Sequence, residues 1–348
     1  MAEIPAENLQ RLCLGLLSIR GVRSDVALHV ARGLVQASLR GVDSHGVRLL
    51  PHYLRALEAG RLNPDPTYGY ERTTPSTGRL DGDHTFGHAA GAEGMGRAIE
   101  MARESGMGAV SVYNSSHFGA AAYFGLMAAE QDMVGLSLTH ADSLMLTHGS
   151  KRAYFGTNPI CFTAPCSGEG PFCLDMATTS VTWNKLLQVS GDGGPIPQGW
   201  GVDEDGKDTQ DSQRIRALHP IGGYKGLGLA MMVDVLCGLM TGMPFGRDIS
   251  TMYKGPIEEK RYLGHFFMAM RVDGFVPLEE FKGRMKQMMD HVRSEPARDS
   301  AVAVQVAGDP EKRAERERRQ KGIPLSGVEL EELRSLAGRY DVGFPELI

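Results

Sequence analysis

The sequence predicts an α/β protein: a mixed or parallel sheet core with an additional helical layer from the N- and C-terminal segments. Two observations carry this. Through the middle of the chain, short β-rich runs alternate with amphipathic helical stretches, the pattern of a sheet covered by helices. The first and last stretches instead read as helices at 3.6-residue spacing. The expected organisation is a helical segment over 1–75, an α/β core over 76–304 and a helical segment over 305–348 that packs with the first.

Each element follows from its own pattern. Glu7 to Arg20 carries Leu9, Leu12, Leu16 and Leu17 on one face and stops at Gly21. Ser24 is the expected cap of a second helix to about Leu39, with Val26, Val30, Leu34 and Val35 inward. A polar step, Asp43-Ser44-His45-Gly46, precedes a third amphipathic helix that closes at Asn63-Pro64. GHAAGAEGMGRAIEMARESG reads as a helix, MGAVSVYN as a strand, HFGAAAYFGLMAAEQ as a helix and MVGLSLTH as a strand. FCLDMA and GHFFMAM are further strand candidates. A polar loop over 188–218 leads into a helix at GGYKGLG, and PLEEFKGRMKQMMDHVRS is amphipathic. Glu311 to Lys321 mixes charge signs densely and predicts a solvated helix.

Composition excludes several function classes. Of 348 residues, 42% are hydrophobic and 23% charged, and the net charge of −5 offers no general attraction to nucleic acid or acidic membranes. The longest apolar run, Leu227 to Met243, has Asp234 at its centre and reads as a buried helix rather than a membrane span. Cys13, Cys161, Cys166, Cys173 and Cys237 form no C-x-x-C motif, so neither a zinc site nor a disulfide framework is expected. With no basic-plus-apolar leader pattern in MAEIPAENLQRL, reduced thiols in a cytoplasm are the expectation.

Four stretches could carry chemistry. HPIGGYKGLGLA sets Gly222, Gly223, Gly226 and Gly228 around Lys225 at a helix start. Backbone N–H groups and an ammonium there suit an anion, while close helix packing with Lys225 in solvent is the other reading. Asp43-Ser44-His45 puts an imidazole beside a hydroxyl and a carboxylate, available for proton transfer near neutral pH. His117 follows a strand and opens the expected helix at Gly119-Ala120, a position where α/β proteins place ligands, or where a histidine merely caps. Asp175 ends the run FCLDMATTS downstream of GTNPICFTAP; it could orient a histidine or cap a helix, and Gly156 to Pro159 is good turn chemistry. His84 and His88 have metal-compatible spacing but no third ligand, so no metal is expected. G-x-G-x-x-G, G-x-x-x-x-G-K-[ST] and G-x-S-x-G are all missing; Gly106-Met-Gly108 and Gly226-Leu-Gly228 lack the third glycine.

Together GVDSHGVRLLPHYLRALEAGRLNP, SSHFGAAAYF, GTNPICFTAP, LDMATTSVTWNK, PIGGYKGLGLAMMVDVLCG and KGIPLS resemble, in order, the malate/L-lactate dehydrogenase family that is unrelated to the Rossmann enzymes of those names. Ureidoglycolate and sulfolactate dehydrogenases, diketogulonate reductases and cyclic-imine reductases belong to it. The resemblance implies a homodimer whose non-Rossmann, NAD(P)-binding mixed sheet core takes NAD or NADP, and hydride transfer to or from a small 2-hydroxy or 2-oxo acid. Reduction of a cyclic imine acid and a catalytically silent ligand-binding relative are the alternatives. It further implies His45, supported by Ser44, as acid/base, with His117 as second candidate and Asp175 setting orientation. Cofactor contacts are implied at His117, Phe118, Gly119, Ala120, Ala121, Asp175, Met176, Ala177, Thr178, Tyr224, Lys225, Gly308 and Asp309, and substrate contacts at Arg48, Thr157 and Asn158. Two positions depart from the family. Leu49 stands where many relatives have a carboxylate-gripping arginine, with Arg48 one residue early and so rotated by roughly 100° on a helix. Ala141 replaces a serine that contacts cofactor in ureidoglycolate dehydrogenases.

Overall fold

Leu9, Leu12, Leu16 and Leu17 are all buried by the helix they form, α1 (Ala6–Ile19), in a computed structural model that describes residues 2–191 and 195–345. Helix α2 (Ser24–Leu39) buries Val26, Val30, Leu34 and Val35 as their spacing requires. Its cap differs from the expectation: Ser24 is already helical, Arg23 holds the cap position, and no side chain bonds there. Gly41, at φ +76°, ends that helix, and two 3₁₀ turns (Asp43–His45, Val47–Leu49) lead into α3 (Leu50–Glu58), with Pro51 in its first turn.

One apolar cluster joins α1, α2 and α3 to Ile323, Leu325, Leu333 and Leu336 near the other end of the chain. Strand Ala2–Ile4 pairs antiparallel with Ile323–Leu325, so a ladder of backbone bonds supplements that packing.

The central sheet has seven strands. In spatial order they are Gly69–Thr74, Thr77–Asp81, Met107–Ser115, Leu263–Arg271, Met133–Thr139, Ile160–Ala164 and Phe172–Met176. Thr77–Asp81 and Met107–Ser115 run parallel and every other neighbouring pair antiparallel, so the sheet is mixed. Gly69–Thr74 lies inside the segment expected to be wholly helical; its sequence, GYERTT, is polar apart from Tyr70 and carries no helical apolar face.

Helix α4 (Gly87–Ser105) covers the sheet closely, because side chains at Gly91 and Gly94 would collide with Phe124, Val112 and Phe267. Helix α5 (Ala122–Ala129) starts later than expected, leaving His117 in an irregular stretch rather than at a helix start.

The polar loop expected over 188–218 begins inside α6 (Trp183–Gly191); its residues 192–194 lie outside the described residues. Two of its short strands join Met145–Leu146 and Ala153–Phe155 in a four-stranded sheet. Helix α7 (Tyr224–Asp234) runs into a π turn at Val235–Leu239. It is not the buried helix expected: Asp234 is buried, but Met231, Met232, Val235, Leu239 and Met240 are exposed. Among the described residues, no helix is long and apolar enough to cross a membrane. Helix α8 (Leu278–Ser294) packs on the sheet end, α9 (Asp309–Lys321) buries no residue, and α10 (Gly327–Arg339) opens with a Ser326/Glu329 capping box.

Candidate active site

The 3₁₀ turn after α2 carries Ser44 and His45, and three contacts fix it. Arg318 of α9 grips the Asp43 carboxylate, with Nη2 to Oδ2 at 2.9 Å. Asn184 Nδ2 donates to the Ser44 carbonyl at 3.2 Å. Gly46 passes so close to Ser38 that any side chain would strike its hydroxyl, which accepts from the Val47 amide.

On this turn Ser44 Oγ and His45 Nδ1 share a 2.9 Å hydrogen bond. The His45 ring stacks on His117, centroids 5.6 Å apart. His117 Nδ1 in turn meets Tyr53 Oη at 2.6 Å, bringing α3 into the site. Burial pushes His45 down to about 4, with Arg48 adding to the effect. Burial and the neighbouring imidazoles hold His117 well below its ordinary value too, and burial raises the Tyr53 phenol. At neutral pH both rings are therefore uncharged, able to accept a proton.

Two cavities meet at His45, Thr157 and Thr182, which line both. The first also has Arg40, Ser44, Gly119 to Ala122, Asp175, Ala177 and Glu311 in its wall. Its lining is small-chained, so main chain faces the space. Arg40 is buried there, and its Nε has no hydrogen-bond partner. The second, of about 160 Å³, is walled by His117, Asp142, Trp183, Asn184, Tyr253 and Lys254. Behind it, buried Arg261 donates to Asp142 at 2.8 Å while its Nε and Nη1 are unpartnered.

The remaining sequence-predicted residues divide. Asp175 lines the first cavity, but its Oδ2 accepts from the Ala122 amide at 2.8 Å, so it anchors the start of α5 and bonds no histidine among the described residues. Atoms packed closely around its carboxyl raise it to about 6, although the residue as a whole is exposed. Phe118 points into the core, stacked on His265. Gly119, at φ +78°, lies where a side chain would strike His88. Met176 is paired in the sheet with Ile160, and Thr178 is bound to the Thr157 carbonyl.

Asn158 is fully buried; its Oδ1 accepts from the Ala141 amide and its Nδ2 donates to the Ala230 carbonyl and the Asp234 carboxylate, so it is a strut between segments. Arg48 lines neither cavity and faces Glu329 at 3.9 Å. Tyr224 borders a separate surface cavity, and Lys225 is exposed and lines neither of the two. Of the glycines around it, Gly222 and Gly223 have positive φ, Gly226 packs against the Ile221 carbonyl, and Gly228 faces open space. Gly308 packs on the Cys173 carbonyl, and Arg293 occupies both oxygens of Asp309.

Tyr53, Asp142, Tyr253, Lys254, Arg261 and Arg40 were not singled out from sequence, since each stands in an ordinary local pattern and only the fold brings it to the site. Among the described residues no three His, Cys, Asp or Glu side chains converge as a metal site.

Residues 4–334 match the family model described as malate/L-lactate dehydrogenase. Among similar curated proteins is malate dehydrogenase of Pyrococcus abyssi, 36% identical over 349 residues, 97% of this chain and 95% of that protein. The NAD(+) ureidoglycolate dehydrogenase of Escherichia coli K12 is 35% identical over 82% of each chain. The solved malate dehydrogenase from Entamoeba histolytica superposes with a TM-score of 0.94 at 29% identity, covering 99% of both chains.

Proposed function

The chain belongs to the malate/L-lactate dehydrogenase family, and on that premise we propose a dehydrogenase that uses NAD or NADP to interconvert a small 2-hydroxy acid and its 2-oxo acid. The observation that carries this reading is the neutral imidazole of His45, placed where the two cavities meet and held by Ser44.

The first cavity suits a dinucleotide. Bare main chain at Gly119 to Ala121 and at Ala177 lets a flat ring approach, and the Arg40 guanidinium in the wall, 3.6 Å from Glu315, adds positive charge toward an anionic group. A nicotinamide bound there would supply or take up the hydride. His45 would take the hydroxyl proton during oxidation and return it during reduction, with Ser44 fixing the ring. His117, backed by Tyr53, would hold the other side of the substrate and is the second candidate base. Asp175 would keep the cofactor wall in place through the Ala122 amide.

The exposed apolar side chains of α7 and its π turn, Met231, Val235, Leu239 and Met240 among them, support a homodimer that covers this face. Five free, buried cysteines support a reducing, cytoplasmic setting. The deciding experiment is a panel of pyruvate, oxaloacetate, oxoureidoacetate and a cyclic imine acid against NADH and NADPH on purified protein. Turnover of at least one 2-oxo acid is expected. Turnover of the imine alone, or of none, overturns the reading.

A further inference from the structure

The cavity beside the two histidines is lined by one acidic and one basic side chain, Asp142 and Lys254, and they are not each other's partners. Asp142 is neutralised by Arg261 at 2.8 Å. Lys254 makes no ion pair among the described residues; its ammonium sits over the Trp183 ring, 5.9 Å from the centroid. Trp183 lines the same cavity, so the aromatic face holds the charge at the cavity wall.

The segment that carries Lys254 is anchored rather than loose. Buried Arg61 donates to the carbonyls of Met252 and Pro256 at 3.3 and 3.0 Å, and Met252 is itself in the apolar core. Lys254 itself is exposed, so its ammonium stands at the rim of the cavity as one surplus positive charge beside Trp183. A compact ammonium of this kind suits a carboxylate or sulfonate as a point charge.

Resting on the dehydrogenase reading above, we propose that Lys254 is a specificity-determining residue: it receives a second anionic group, at the end of the substrate away from the 2-oxo carboxylate, so that dianionic acids are preferred over acids with a neutral tail. A ureido or methyl tail would leave the ammonium without a counter-charge, whereas a second carboxylate or a sulfonate would supply one.

Oxaloacetate and 2-oxobutyrate differ chiefly in that second charge. For the wild type, Lys254→Met and Lys254→Arg, the ratio of kcat/KM between these two acids is measured with both reduced dinucleotides. The ratio is expected to fall about 30-fold in Lys254→Met, mainly through KM, and to be largely kept in Lys254→Arg. An unchanged ratio in Lys254→Met overturns the proposal. Calorimetry of L-malate and L-lactate binding, with dinucleotide present, separates the two readings. Lys254-dependent malate binding without turnover of any acid would keep this proposal and remove the dehydrogenase reading. Turnover without preference for the dianion would do the reverse, and neither turnover nor malate binding removes both.

Discussion

His45 and His117 lie face to face with planes 21° from parallel, although one belongs to the turn after α2 and the other follows the strand Met107–Ser115. Two partly buried imidazoles this close cannot both be charged cheaply, because each proton on one ring opposes a proton on the other. The pair is therefore neutral at rest, the form in which a ring can take a proton, although the same crowding makes each ring a weak base.

Replacing His45 with alanine should lower kcat for 2-hydroxy acid oxidation by about 100-fold or more, the usual loss on removing a general base. Dinucleotide binding, read by quenching of NADH fluorescence, should survive. An unchanged kcat would move the proton chemistry to His117.

Tyr53→Phe removes the phenol that meets His117 Nδ1 and leaves that nitrogen buried without a partner. A stability loss of about 1–3 kcal/mol is expected in urea unfolding, together with a fall in kcat. Wild-type stability and turnover in this variant would show that the contact positions nothing.

Acidification should weaken the fold. Burial holds His45 at about 4 and His88, His140 and His265 at about 3 in the native state, against 6.5 as their ordinary value. Their contribution is complete above pH 6.5. It is lost progressively as pH falls toward those native values, by on the order of 1 kcal/mol per unit for each ring, since the unfolded chain takes up protons that the native state refuses. Carboxyls that burial raises in the native state, Glu130 and Asp234, work in the opposite sense: their gain is lost as pH rises through their native values. His29, His52, His84 and His117 are held low as well, so the lowered imidazoles outnumber the raised carboxyls Glu130, Asp175 and Asp234 and a net loss is expected. A thermal midpoint at pH 5 equal to that at pH 7.5 would contradict this. Because His45 titrates at about 4, oxidation rates should show no acid limb from this residue between pH 5.5 and 8.

Arg318→Met frees Asp43 and loosens the turn that carries His45. The ion pair is partly exposed, so the cost in stability is modest, about 1 kcal/mol or less. The expected signature is a fall in kcat with KM nearly constant, partly restored in Arg318→Lys. Equal changes in both variants on KM alone would assign Arg318 to binding instead.

Leu239→Glu would set a carboxylate in the exposed apolar face of α7 and its π turn. Light scattering should then report monomers where the wild type gives dimers. A wild type that is already monomeric refutes the dimer.

Much of the framework was legible because local pattern and final environment agree. The leucines of α1 and the valines of α2 repeat at helical spacing and are buried, and MGAVSVYN and GHFFMAM became neighbouring strands of the sheet. Legibility failed where an element depends on distant partners. The strands Gly69–Thr74 and Ile160–Ala164 are short, and pairing rather than composition makes them strands. The apolar run around Asp234 shows the same limit from the other side, since hydrophobicity alone cannot tell a buried helix from one with an uncovered face.

Sequence alone determined the mixed α/β class, the family resemblance, and the pairing of Ser44 with His45, all of which reside in neighbouring residues or in ordered motifs. Tertiary structure alone decided that His117 and Tyr53 share that site, that Asp175 and Asn158 are committed to holding backbone and side chains together, and that Lys254 stands at the cavity with no counter-ion among the described residues. The reason is physical. Hydrogen bonds, burial and uncompensated charge depend on which atoms come within a few ångströms, and for these residues the fold brings those atoms from far along the chain.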